Sequence, residues 1–77
     1  MNDLEQKWTE YRLRVIPLNA PDFQKIESRR AYMAGAAAVI KIALHFTGQS
    51  AQEASRNMHK LRQECERYQA EVTAGRA

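Results

Sequence analysis

The stretch PDFQKIESRRAYMAGAAAVIKIALHF, Pro21–Phe46, decides the fold of this chain. Between Pro21 and Gly48 only Gly35 interrupts it, so it reads as one long helix. Asn19 is the expected cap. Pro21 fits the first turn, where its missing N–H costs nothing. Asp22 suits the positive end of the helix dipole, and Gly48 is the expected left-handed terminator. The helix predicted over 20–47 is roughly 39 Å long at about 1.5 Å per residue. On a wheel of about 100° per residue it carries two apolar stripes on opposite sides. One is Phe23, Ile26, Met33, Ala37, Ile40 and Leu44. The other is Ala31, Gly35, Ala38, Val39, Ile42 and Phe46.

Outward on the C-terminal side, Ser50-Ala51-Gln52-Glu53 is a capping-box pattern. It opens a helix predicted over 51–73. Ala54, Met58, Leu61, Cys65, Tyr68 and Val72 recur at alternating spacings of four and three, a narrow heptad seam. Arg62–Glu66 and Arg67–Glu71 are expected to pair along its outer faces, and Gly75 marks a frayed end. A link this short between two long helices implies an antiparallel hairpin. On the N-terminal side, Leu4, Trp8, Tyr11 and Val15 share one face of a helix predicted over 3–15. Asn2 or Asp3 is its cap and Pro17 its stop. The expected fold class is all-α: a short N-terminal helix plus a long helical hairpin in one domain.

The chain's 77 residues allow only a small core. With a single cysteine, Cys65, no intrachain disulfide can reinforce it, which suits a reducing compartment. Cys65 itself is expected to be a packed, inert thiol within the seam. No cofactor is implied. His45 and His59 lack the further ligands a metal site needs, and two partly exposed histidines are expected. Oligomerisation is therefore the expected source of added stability. Its interface is placed on Ala31, Gly35, Ala38, Val39, Ile42 and Phe46, because a mid-helix glycine among small residues suits close backbone approach.

No nucleophile stands at readable spacing from a base, and no phosphate-binding glycine loop follows a strand, so no catalytic residue is assigned. The formal net charge of +3 permits an anionic partner but is too small to favour nucleic acid. Two basic groups stand out. Arg29 and Arg30, with Tyr32 and with Arg67 and Tyr68 from the last helix, could cradle a phosphate and a base. The bland alternative is a salt bridge, Arg30 to Glu64, Glu71 or Glu10. Lys41, Arg56, His59 and Lys60 form a second group, with a solvated face as its alternative. The polar start Met1-Asn2-Asp3-Leu4-Glu5 has no signal-peptide character. Ala31 to Phe46 carries Lys41 and is short for a bilayer. A cytoplasmic protein without membrane association is expected.

Trp8, Tyr11 and Arg12, then Val15-Ile16-Pro17, Ala20, Gln24 and the run Arg29-Arg30-Ala31-Tyr32-Met33-Ala34-Gly35-Ala36 resemble a family of small bacteriophage and prophage accessory proteins. The resemblance covers the first half of the chain. It implies a phage product acting in the bacterial cytoplasm and supplies no mechanism. In shape, a short helix before a long basic pair is similar to phage sponges that sequester the cyclic oligonucleotide signals of bacterial CBASS immunity. That likeness implies a cyclic nucleotide or similar anion bound at subunit junctions. A helical adaptor or inhibitor binding a host or phage protein through its apolar face is the alternative, and a nucleic-acid accessory factor the weaker one.

Overall fold

In a computed structural model describing residues 2–76, the chain is all-α: 84% helical, without strands among the described residues. Three helices follow in order, α1 (Asp3–Val15), α2 (Asp22–Leu44) and α3 (Ala51–Thr73), with a single 3-10 turn, His45–Gly48, after α2. Contacts within the chain gather in two compact units, Met1–Val39 and Ile40–Ala77. The division falls inside α2.

In the first unit, α1 begins with acidic Asp3 and Glu5 and ends with basic Arg12 and Arg14, which complements the helix dipole. The expected side-chain cap is not made. Asn2 contributes only its carbonyl, which accepts from the Gln6 N–H at 2.9 Å. Pro17 stops the helix as expected: Ile16 before it is extended (φ −97°, ψ 124°), the conformation a following proline enforces. That swing turns Ile16 inward. Among the described residues Ile16 and Trp8 are the buried hydrophobic side chains, whereas Leu4 and Val15, expected on the inner face, lie exposed. The Pro17 carbonyl then accepts from Ala20 at 3.0 Å. Asn19 does not cap α2; the Pro21 carbonyl takes the first N–H groups, from Gln24 and Lys25.

α1 meets α2 on an unexpected face. Lys25, Ser28, Tyr32 and Ala36, one turn apart in succession, are the half-buried residues of that face. It lies about 120° round the helix from the first apolar stripe and about 75° from the second, at about 100° per residue. α1 therefore docks mainly along the edge between the stripes, and of the stripe residues in this unit only Met33 is half-buried. Phe23, Ile26 and Val39 stay exposed, and so do Ala31, Gly35 and Ala38.

In the second unit, α2 tightens into the 3-10 turn rather than running on to residue 47. The Thr47 hydroxyl caps the Leu44 carbonyl at 2.8 Å, a local competitor for the helical bond. Gly48 is not left-handed; Gly75 is the one positive-φ glycine among the described residues (φ 76°). There the end is not frayed. Arg76 N–H reaches Glu71 O at 2.9 Å and Gly75 N–H reaches Val72 O at 3.0 Å, the paired bonds of a Schellman motif. α3 starts where the capping pattern placed it, with the Ser50 hydroxyl accepting from Glu53 N–H at 3.1 Å. Asn57 Nδ2 donates to Gln49 Oε1 at 2.8 Å and braces the turn. We expect Ser50→Ala to cost about 1 kcal/mol, read as fraying of the first α3 turn by amide exchange.

The 3-10 turn packs against α3. Ala54, Asn57 and Leu61 are the half-buried residues on that side of α3, and Phe46 is half-buried in the turn. The heptad seam is otherwise open: Met58, Tyr68 and Val72 are exposed, and Cys65, expected to be packed, is an exposed free thiol. Arg62 pairs with Glu66 at 3.4 Å, while Arg67–Glu71 is not among the ion pairs of the described residues.

Candidate functional site

The best-formed local architecture lies between α1 and α2 in the first unit. Trp8 and Tyr11 sit one turn apart on α1, and Tyr32 comes from α2. Their ring centroids lie 6.1 Å (Trp8–Tyr11), 5.3 Å (Trp8–Tyr32) and 5.4 Å (Tyr11–Tyr32) apart. All three pairs fall in the range where offset or tilted rings attract beyond their area burial. Above this cluster Glu5 of α1 pairs with Arg29 of α2. Both are about half exposed, so the pair orients the helices more than it stabilises them.

Beside the aromatic cluster opens a hollow of about 300 Å³, lined by Trp8, Arg12, Lys25, Ile26 and Arg29. Three of the five are cations. Lys25 and Arg29 stand one turn apart on α2, and like charges at that spacing oppose helix formation. Lys25 is held by the Leu18 carbonyl at 3.2 Å. Arg12, half-buried, has no carboxylate partner among the described residues. The hollow thus gathers positive charge over an apolar floor of Trp8 and Ile26. It offers anion binding and no nucleophile or base. Among the described residues no group of three His, Cys, Asp or Glu is placed to hold a metal.

The expected ligand residues divide between the units. Arg29 reaches the hollow. Arg30, adjacent in sequence, points elsewhere because neighbours on a helix diverge by about 100°. It pairs with Glu27 on its own helix at 2.8 Å, not with Glu64, Glu71 or Glu10. Tyr32 packs against Trp8 and Tyr11 and does not line the hollow. Arg67 and Tyr68 lie on α3 in the second unit, both exposed. Of the second basic group, Lys41, Arg56, His59 and Lys60 are all exposed and carry no ion pair among the described residues, and His45 is exposed as well. Arg12 and Lys25 were missed as site residues. Their signal was present: Lys25 and Arg29 at a spacing of four, and Arg12 four residues after Trp8.

These features define a small all-α protein with an aromatic-braced cationic hollow. Comparison with protein-family models, with curated proteins and with solved structures finds no match.

Proposed function

We propose that this chain is a non-catalytic helical binding protein that completes its core against a second copy of itself through α2. The observation that carries this reading is the bareness of α2. None of its residues is buried, and an ideal Cβ built on Gly35 would meet nothing within 4 Å. α1 is committed mainly to the edge between the stripes, and Phe23, Ile26, Ala31, Gly35, Ala38, Val39 and Ile42 all stay exposed. A second copy is the cover that this reading assigns to these apolar faces. Each Ile or Phe fully buried there contributes about 1.5–3 kcal/mol, a large share of the 5–15 kcal/mol that holds a typical domain together. The small residues Ala31, Gly35 and Ala38 offer a helix of the second copy the closest approach.

A bilayer is the competing cover. Asp22–Gly48 is long and apolar enough, by length and composition, to cross one. Lys41 within the apolar stretch and α1 along one edge favour a protein partner instead, since a charge near the bilayer centre costs about 2.5–3.5 kcal/mol. Native mass spectrometry of the purified protein tests the reading. Soluble multiples of the chain mass are expected. A lone subunit at micromolar concentration, or recovery only from membranes, overturns it. Gly35→Ala gives a second check. In an isolated chain it should stabilise α2 by about 0.5–1 kcal/mol, because the added methyl meets nothing. Against a close partner helix it should instead lower the melting temperature, and that is the outcome we expect.

A second reading, capture of an anionic nucleotide in a phage counter-defence role, is favoured by one observation, the three cations around the hollow. On this reading the contacts are Arg12, Lys25 and Arg29 rather than Arg30, Arg67 and Tyr68. Nucleotides whose phosphate reaches these cations should then raise the melting temperature, since a ligand that binds only the native state stabilises it.

A further inference from the structure

The hollow between α1 and α2 has a charge, a size and a floor, and together they specify its ligand more narrowly than "an anion". We propose that it binds the phosphate group of a compact ligand of nucleoside monophosphate size, within a single chain. The inference rests on the anionic-nucleotide reading above and names the ligand class for it.

Charge comes first. Arg12, Lys25 and Arg29 line the hollow, and Glu5 on Arg29 is the one carboxylate paired with any of them among the described residues. Two positive charges are left over. A phosphate monoester carries about −1.5 to −2 at pH 7, so it closes that balance. Donors remain for it. Glu5 is held through Nη2 of Arg29, whose guanidinium has further N–H groups. Lys25 gives one bond to the Leu18 carbonyl, out of the three its ammonium can make. Arg12 brings a whole guanidinium from the opposite helix, suited to two-pronged contact with phosphate oxygens. Without an anion, the fold holds like charges one turn apart on α2 and adds a third from α1.

Size and floor narrow the class. About 300 Å³ lies at the small end of ligand pockets, which span about 300–1,000 Å³. A hollow of that size, open to solvent, matches one nucleoside monophosphate more closely than a cyclic dinucleotide or trinucleotide. The apolar wall is Trp8 and Ile26. Ile26 is half exposed, and a planar base or sugar face would cover it. Arg30 carries the same charge one residue away but turns to Glu27, outside the hollow, which makes it the natural control.

Trp8 is the single tryptophan in the chain and lines the hollow, so its fluorescence reports occupancy directly. The test titrates the full-length protein with AMP, inorganic phosphate and cyclic di-AMP at fixed ionic strength. AMP should bind more tightly than phosphate, and cyclic di-AMP more weakly than AMP. Arg12→Gln should weaken AMP binding at least about tenfold, the loss of one charge-assisted contact, while Arg30→Gln leaves it unchanged. Lys25→Gln removes a cation of the hollow from the other helix and should weaken AMP binding as well, which separates loss of charge from a packing defect confined to Arg12→Gln. Equal weakening by Arg12→Gln and Arg30→Gln would mean a diffuse positive surface and overturns the site. AMP binding no tighter than phosphate overturns the role of Trp8 and Ile26. Binding of cyclic di-AMP without AMP overturns the monophosphate class but leaves the nucleotide reading standing, whereas silence to all three probes removes both.

Discussion

Trp8→Ala is expected to abolish the cooperative folding of the first unit. Trp8 is 4% exposed, and among the described residues only Ile16 joins it as a buried hydrophobic side chain. Two aromatic contacts, to Tyr11 and Tyr32, end on it. Truncating a buried aromatic to alanine costs about 3–5 kcal/mol. A chain this small sits at the low end of the 5–15 kcal/mol range of domain stability, and about 1 kcal/mol already moves the midpoint of a 60–100-residue domain by 4–8 °C. The substitution should therefore lower the melting midpoint by more than about 12 °C. Amide protection over Lys7–Val15 should disappear while α3 keeps its own. Trp8→Phe retains a ring against Tyr32 and should recover most of the loss. A Trp8→Ala midpoint within a few degrees of the parent would mean that α1 is held by something other than this cluster.

The elements of this protein were legible in sequence because their signals are local. Ser50 and Glu53 place the start of α3, and Pro17 stops α1 through the backbone of the residue before it. What was lost lies one step beyond the local. Val15 and Ile16 are both apolar neighbours at the end of α1, and periodicity chose Val15; the extended conformation forced on Ile16 by Pro17 turns that side chain inward instead. Gly48 and Gly75 both follow a helix, yet only Gly75 takes positive φ, because Thr47 offers the Leu44 carbonyl a hydroxyl and the backbone tightens into a 3-10 turn.

The candidate site shows the same limit. Arg29 and Arg30 look equivalent in a string of letters. About 100° of helical rotation sends one to Glu5 and the hollow and the other to Glu27. Tyr32, read as a ligand contact, is consumed by Trp8 and Tyr11. Arg12 and Lys25 enter the site only once α1 is laid along the edge of α2, a tertiary fact that neither helix announces. The two-stripe pattern of α2, by contrast, was fully readable. Which face α1 would choose was not, because aromatic packing of Trp8 on Tyr32 outweighed coverage of either aliphatic stripe.

Ile42→Asp follows from that choice and is expected to dissociate the protein. Ile42 is 44% exposed within the single chain, and substitutions at such surface positions usually change stability by no more than about 0.5 kcal/mol. Isoleucine and aspartate also differ little in helix propensity. If the stripe is covered by a second copy, the same change removes a buried aliphatic contact and places a carboxylate without a partner in an apolar interface, and each effect costs kilocalories rather than tenths. The parent should sediment above the chain mass at about 10 μM, with a melting temperature that rises with concentration, as mass action requires of an associating fold. The variant should sediment as a single chain and lose that concentration dependence. Leu18→Asp, on the connection and 80% exposed, belongs to neither stripe and should leave the mass unchanged. Loss of stability in Ile42→Asp with the mass unaltered would place the cover of Ile42 inside the chain and remove the Ala31–Gly35–Ile42 stripe as the interface with a second copy.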